Sequence, residues 1–315
     1  MAPPMRLSLI GSPPFATKPF QALVHGIELP VVVVTAPQGR AGRGLKPVPN
    51  EIAEAAAQAG VPVLRPESAG DPAFLREFAD LRPDLGVVVS YGQILKPEFL
   101  AIPRFGCINL HASLLPRWRG ASPIQAAILA GDAQTGVTIQ RVVQKLDAGA
   151  VLARRSTPIG PHEDAVGLAE SLGRMGAELL VEFLDRIGDG PLPAGEEQDE
   201  RLVTICKKVR KEDGRLDWSA PAVDVDRRVR AMAGWPVAET ALPDGTPLKV
   251  LRGEPVSLAT ATEAPGTVVS VDEGITVRCG TGAYRMTEIQ RPGKAPLPAA
   301  AFLRGARLRL GDLLR

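Results

Sequence analysis

The chain is expected to be an α/β protein: an N-terminal, doubly wound, mostly parallel sheet followed by a smaller C-terminal β-barrel. Three observations predict this. Short apolar or β-branched runs alternate with helix-period segments through the first half, and strands interleaved with helices imply parallel pairing. A Gly-, Pro- and acid-rich stretch, GDGPLPAGEEQDE at 188–200, reads as a surface connector. Beyond it come short extended runs separated by Gly turns, the spacing of a small barrel.

Each element has its own local reason. Residues 6–10 form a short β run that ends at Gly11. Over 17–25, Phe20, Leu23 and Val24 recur at helical spacing before Gly26. The continuous β-branched run 31–35 suits a strand buried on both faces. Asn50 is placed to cap a helix over 51–59 that stops at Gly60. Residues 61–64 and 85–90 are further strands, and 105–111 another. Ser122-Pro123 reads as a cap followed by Pro at the first helical position, with Gly131 as the stop. A strand over 137–143 and one or two helices over 164–187 complete the first half. In the second half, 223–232 is helical. Residues 240–251 carry Pro243-Asp244-Gly245 between extended runs, a hairpin signal. Residues 266–271, 274–279 and 284–289 are short antiparallel strands. The resulting organisation is an α/β domain over 1–188, a linker over 189–208 and a barrel over 209–315.

At 315 residues, two domains are the prior. Apolar residues make up 45% of the chain and aromatics 4%, so aliphatic packing is expected to dominate. No apolar run approaches the length of a membrane span, and the first residues lack the pattern of a signal peptide. Cys107, Cys206 and Cys279 are scattered and odd in number, fitting neither a disulfide framework nor a metal pattern. A cytoplasmic protein without bound metal is expected. The net charge of +2 conceals an asymmetry. Residues 201–315 hold 19 Lys and Arg against 13 Asp and Glu, whereas residues 1–200 hold the remaining 18 against 22. A basic second half suits a polyanionic partner, the plain alternative being a solvated basic face.

The chemistry concentrates in Asn109-Leu110-His111-Ala112-Ser113-Leu114-Leu115-Pro116. In a strand, alternate residues share a face, so Asn109 and His111 project together. A hydrogen-bond donor and a titratable base aimed at one point can stabilise an oxyanion and move a proton, as acyl transfer requires. Ligands of open α/β sheets sit beyond the carboxyl ends of the strands. The bland alternative makes His111 a loop cap and Asn109 a turn residue. Asp147 follows the 137–143 strand and would lie at the same carboxyl edge. A carboxylate there would orient His111 and favour its charged form, unless it is an ordinary turn Asp. The Gly/Arg loop QGRAGRG at 38–44 and the cluster Lys207-Lys208-Val209-Arg210-Lys211 can meet phosphates, or can be solvated charge.

At these residues the chain resembles the methionyl-tRNA formyltransferases. The resemblance rests on Asn109-x-His111, Ser113–Pro116, Arg119-Gly120, Gly131-Asp132, 135–138 and Leu146-Asp147-x-Gly149. Ala41–Gly44, Tyr91-Gly92, 211–218, Arg291–Lys294 and Gly305–Gly311 extend it over nearly the whole chain. Ala150 stands where some members carry an acid, and Ala233-Gly234-Trp235-Pro236 replaces the more usual Asn-Pro-Trp-Pro. The resemblance implies a Rossmann-like formyltransferase fold with an OB-like second domain. It implies formyl transfer from 10-formyltetrahydrofolate to the α-amine of initiator methionyl-tRNA. Asn109 and His111 would stabilise the oxyanion and handle the proton, and Asp147 would position His111 and assist proton transfer to the departing folate nitrogen. It further implies that Ser113, Leu114, Leu115 and Pro116 line the folate site. Arg43, Lys207, Lys208, Arg210 and Lys211 would contact tRNA. The protein is expected to act as a monomer, away from membranes. A sugar-nucleotide N-formyltransferase, a catalytically silent RNA-binding module and a formate-releasing hydrolase are the rivals.

Overall fold

The structure is a computed structural model that describes residues 4–26, 29–37, 40–41, 46–47, 50–258, 262–306 and 308–315. Its chain divides into two compact units. The first comprises Met1–Pro123, Gln134–Thr157 and Ala169–Cys206, and the second Ile124–Ala133, Pro158–Leu168 and Lys207–Arg315.

The first unit is built on a seven-stranded sheet. Its strands are β1 (Leu7–Gly11), β2 (Val32–Val34), β3 (Val63–Leu64), β4 (Leu85–Val89), β5 (Cys107–His111), β6 (Gln134–Arg141) and β7 (Val151–Pro158). The spatial order is β7-β6-β5-β4-β1-β2-β3. Pairings from β3 through β1 and β4 to β5 are parallel. Every residue of β1, β2 and β4 is buried, as suits nearly continuous apolar strands covered on both faces; the one polar residue, Ser8, donates its hydroxyl to Leu85 O at 3.2 Å. The β5–β6 pairing is antiparallel, with His111 opposite Thr138 and Ile108 opposite Arg141. The sheet is therefore mostly parallel with a reversed edge.

The helices α1 (Thr17–Gly26), α2 (Glu51–Gln58), α3 (Pro72–Asp80), α4 (Pro97–Leu100), α5 (Pro123–Ala130) and α6 (Ala165–Ile187) follow. Asn50 caps α2 as its position predicts: Oδ1 accepts from Ala53 N at 3.1 Å, and Nδ2 donates to Thr35 Oγ1 at 3.0 Å. Neither α3 nor α4 is part of the sequence reading, yet α3 carries a plain start signal. Asp71 Oδ1 accepts from the N–H groups of Ala73 and Phe74, with Pro72 at the first helical position. These helices bring Phe74, Phe78 and Phe99 into one stack, the last two with ring centroids 4.9 Å apart. The trio packs with Ile10, Val34, Val88 and Cys107, so one core is aromatic despite the low aromatic content. On the other face Leu110 lies under Gly176 of α6, where an added Cβ would come within 2.8 Å of Leu110 Cδ2. Leu110 and its neighbours Asn109 and His111 thus face opposite ways along β5.

The second unit contains α7 (Ala222–Ala231) and an antiparallel sheet. Its strands are β8 (Ala238–Ala241), β9 (Pro247–Val256), β10 (Val268–Ser270), β11 (Ile275–Arg278) and β12 (Ala283–Gln290), ordered β8-β9-β12-β11-β10, with Leu297–Pro298 added beside β12. The Pro243-Asp244-Gly245 hairpin is present, with Gly245 at φ +82°. The sheet is curled, and its two end strands do not pair with one another. The C-terminal segment spans them instead. Arg315 and Ala241 exchange backbone hydrogen bonds, while Val268 N donates to Asp312 O and Leu314 N to Gly266 O. A helix over Ala299–Leu303, α8, precedes that segment.

Candidate active site

Asn109 and His111 end β5 at its carboxyl edge, one residue apart on the same face. No described residue hydrogen-bonds the Asn109 side-chain amide, which leaves its N–H groups available to an incoming acceptor. His111 is 7% exposed. Its Nε2 lies 2.9 Å from the carbonyl oxygen of Trp118. A carbonyl can only accept, so Nε2 carries the proton and the neutral ring presents its lone pair at Nδ1. Nδ1 is 3.8 Å from Asp147 Oδ1, an ion-pair distance once the ring is protonated and too long for a hydrogen bond. The ring is therefore oriented by a main-chain carbonyl, whereas the sequence reading gave that task to Asp147.

The carbonyl itself is held in place. Trp118 sits at φ +61°, and its N–H donates to Thr204 Oγ1 at 2.8 Å. Arg119 N donates to Thr204 O, and 119–120 pair with 205–206. Left-handed backbone in a bulky residue is costly and persists where surrounding contacts over-determine it.

Asp147 reaches the site by a route the sequence did not indicate. Because β6 is antiparallel to β5, its carboxyl end lies at the opposite edge from His111. The segment after Arg141 turns back, with Asp147 at φ +48°, and returns the carboxylate to His111. Gly120 N donates to Asp147 Oδ2 at 2.8 Å and Gln140 Nε2 to Oδ1 at 3.0 Å. Gly149 belongs to this turn because a Cβ there would strike the carbonyl of Arg141. Gly120 is required for the same kind of reason: its φ is +119° and a Cβ would strike the carbonyl of Cys206.

Four contributors escaped the sequence reading. They are the Trp118 carbonyl, the Gly120 N–H, Gln140 and Gln198. Gln140 left a trace, being a polar residue that alternates with apolar ones in 137–140 and is 2% exposed. Gln198 left none, since it lies in the acidic stretch read as a surface connector. That stretch is mostly exposed, but it belongs to the first unit and is tied down there, with Glu196 bridged to Val151. Arg119 is buried and reaches both Gln198 Oε1 and Glu200 Oε1 at 3.0 Å. Hydrogen bonds from Lys145 and Arg119 hold the Glu200 carboxyl below the usual range.

The Ser113–Pro116 loop is rigid. Ser113 Oγ donates to Arg117 O at 2.6 Å, Thr138 Oγ1 donates to Ser113 O at 2.6 Å, and Leu115 N donates to Thr138 Oγ1 at 3.2 Å. Ser113 and Leu115 are buried, so these two side chains anchor the loop from within. At the neighbouring carboxyl ends of β1 and β4, the buried Ser12 Oγ and Tyr91 OH have no hydrogen-bond partner among the described residues. Burial pushes the Tyr91 phenol up to about 12. Among the described residues no cluster of His, Cys, Asp and Glu is suited to a metal ion. Arg43 lies outside the described residues. Lys207, Lys208, Arg210 and Lys211 form an exposed run in the second unit.

Fold and site define a doubly wound α/β protein with an Asn–His–Asp cluster at the carboxyl end of a strand, joined to an antiparallel β unit. The Formyl transferase family matches residues 11–184, and the Formyl transferase, C-terminal domain family matches 208–307. A methionyl-tRNA formyltransferase of Methylococcus capsulatus is 44% identical over 299 residues, covering 95% of this chain and 96% of that one. One from Roseiflexus sp. is 43% identical over 314 residues, covering 98% and 96%. Among solved structures, HypX from Aquifex aeolicus in complex with tetrahydrofolic acid shares the fold, with a TM-score of 0.62 at 19% identity over 96% of this chain and 47% of that one. The chain belongs to the methionyl-tRNA formyltransferase family.

Proposed function

We propose that the protein transfers the formyl group of 10-formyltetrahydrofolate to the α-amine of initiator methionyl-tRNA, with Asn109, His111 and Asp147 as its catalytic residues. The observation that carries the assignment of roles is the unbonded Asn109 amide beside a His111 whose ring is fixed through Nε2. Asn109 donates to the formyl oxygen as negative charge develops there. As the amine nitrogen bonds to the formyl carbon, His111 takes up its proton at Nδ1, and the Asp147 carboxylate offsets the charge of the resulting imidazolium. The proton then passes, assisted by Asp147, to folate N10 as the N10–carbon bond breaks, releasing tetrahydrofolate and a neutral His111. The Gly120 and Gln140 donors keep that carboxylate from turning away.

The residues present suit a folate co-substrate. The Ser12 and Tyr91 hydroxyls are buried and unpaired at the carboxyl edge, where a polar heterocycle would satisfy them. The Ser113–Pro116 loop forms a wall of that site, contributing backbone and the partly exposed Leu114 and Pro116. In this reading residues 1–188 carry the chemistry, 189–208 link, and 209–315 bind tRNA through Arg210 and Lys211, together with Lys207 and Lys208 at the end of the linker and aided by Arg43. The protein works as a monomer in the cytoplasm. No helix among the described residues is long and apolar enough to cross a membrane.

The test is Asn109→Ala assayed for formyl transfer to charged initiator tRNA, with elongator tRNA and an amino-sugar nucleotide as competing acceptors. Loss of one oxyanion donor lowers kcat by about 100–1,000-fold. Near-wild-type turnover refutes the role of Asn109, and preference for the sugar nucleotide refutes the acceptor.

A further inference from the structure

Gln198 occupies the middle of a chain of hydrogen bonds whose direction is forced at both ends. At one end the Asp147 carboxylate can only accept, so Gln140 presents its Nε2 there and its Oε1 faces away. At the other end the Arg119 guanidinium can only donate, so Gln198 presents Oε1 to Arg119 Nε at 3.0 Å. The Gln198 amide nitrogen is left facing inward. It lies 3.2 Å from Gln140 Oε1, 2.9 Å from the Asp147 carbonyl oxygen and 2.8 Å from the Gly149 carbonyl oxygen. One side-chain amide thus holds both the backbone of the 147–149 turn and the residue that aims the Asp147 carboxylate. The turn needs such a restraint, because Asp147 sits in the left-handed region at φ +48°.

We infer that Gln198 is a positioning residue for the transfer reaction, holding the Asp147 carboxylate toward His111 through Gln140 and the Asp147–Gly149 turn. This rests on the proposed role of Asp147. Arg119 orients Gln198 in turn and is itself tied by Glu200, which also pairs with Lys145 at 2.7 Å. The Gln198 side chain hydrogen-bonds Arg119, Gln140 and the Asp147 and Gly149 carbonyls, so its effect passes through the turn and Gln140.

The experiment compares wild type with Gln198→Leu, Gln198→Glu, Asp147→Asn and the Gln198→Leu/Asp147→Asn double variant. Gln198→Glu keeps the size and the Arg119 bond but sets carboxylate oxygen against three acceptors. Readouts are kcat and KM for both substrates, the pH profile of kcat, the NMR titration of His111 and the thermal unfolding midpoint. Both Gln198 variants are expected to lower kcat by about 10–100-fold, the scale of an angstrom-sized misplacement, with KM changed less than about threefold. Gln198→Leu, which brings no charge of its own, should displace the His111 titration in the same direction as Asp147→Asn; Gln198→Glu adds a carboxylate that favours the imidazolium directly and is judged on kcat alone. In the double variant the losses should fall well short of multiplying, as for residues acting through one group. Independent, multiplying losses, or an unmoved His111 titration in folded Gln198→Leu, overturn the inference. If Asp147→Asn retains full kcat, the role of Asp147 fails; a displaced His111 titration in Gln198→Leu would still uphold the positioning.

Discussion

Gly149→Ala tests most directly how the site is assembled. An added Cβ would lie 2.8 Å from the carbonyl carbon of Arg141 and closer still to its oxygen. That carbonyl belongs to β6, and the adjacent Arg141 N–H donates to Ala150 O at 3.0 Å, so strand and turn are clamped together at the point of collision. Restoring ordinary contact distances near 3.5 Å moves the turn by roughly 1 Å. Overpacking of this kind costs about 1–3 kcal/mol. At roughly 2–4 °C per kcal/mol, the unfolding midpoint falls by several degrees. The kinetic effect is larger, because Asp147 lies two residues away and a misplacement of about 1 Å can cost on the order of 100-fold in rate. Formyl transfer under saturating substrate, with thermal unfolding on the same samples, measures both. Gly245→Ala is the control: its φ is +82° but nothing lies within 4 Å of an added Cβ, so only local strain of about 1 kcal/mol is incurred, with kcat unchanged. A Gly149→Ala enzyme with wild-type midpoint and wild-type kcat would refute the close-approach account of this turn.

Three further outcomes are expected. Asn50→Ala removes the α2 cap and the bond to Thr35, costing about 1 kcal/mol in urea denaturation while leaving kcat intact; no loss of stability would contradict the capping role. Burial pushes the Cys107 thiol up to about 12 and the Cys279 thiol to about 11. A raised thiol pKa means the folded state holds its proton more tightly, so stability is complete below the unfolded value of about 8.5 and is lost as pH climbs toward the folded values. The urea midpoint should therefore fall between pH 8 and 10.5, and Cys107→Ala should flatten that slope; an unchanged slope would contradict it. Affinity for tRNA should fall as salt rises, and Lys207→Ala and Lys208→Ala should each reduce the logarithmic salt slope by about 1; a salt-insensitive affinity would remove the phosphate contacts.

Much of the architecture is legible in local chemistry. The runs at 31–35 and 85–90 admit little but buried strand, Asn50 announces its helix, and Pro243-Asp244-Gly245 its hairpin. Helix α3 carries an equally local signal, Asp71 as its cap followed by Pro72. Asn109 and His111 share a face because strand geometry has a period of two, and that inference needs no partner. Asp147 is different. Its residue type was readable, but the expected common carboxyl edge assumed a parallel β6, and strand direction depends on pairing with β5.

What the sequence by itself determined is the set of elements and the pair of groups aimed from the end of β5, since both follow from short-range periodicity and steric preference. What only the tertiary structure decided is who holds them. The Trp118 carbonyl that fixes His111 comes from seven residues on, and the Gln198 that clamps the 147–149 turn from 51 residues beyond Asp147. Main-chain groups carry no residue signature, and a glutamine in an acidic stretch looks like any solvated side chain. Its role appears only when folding places it between groups that can only accept and one that can only donate, which leaves its amide one satisfied orientation.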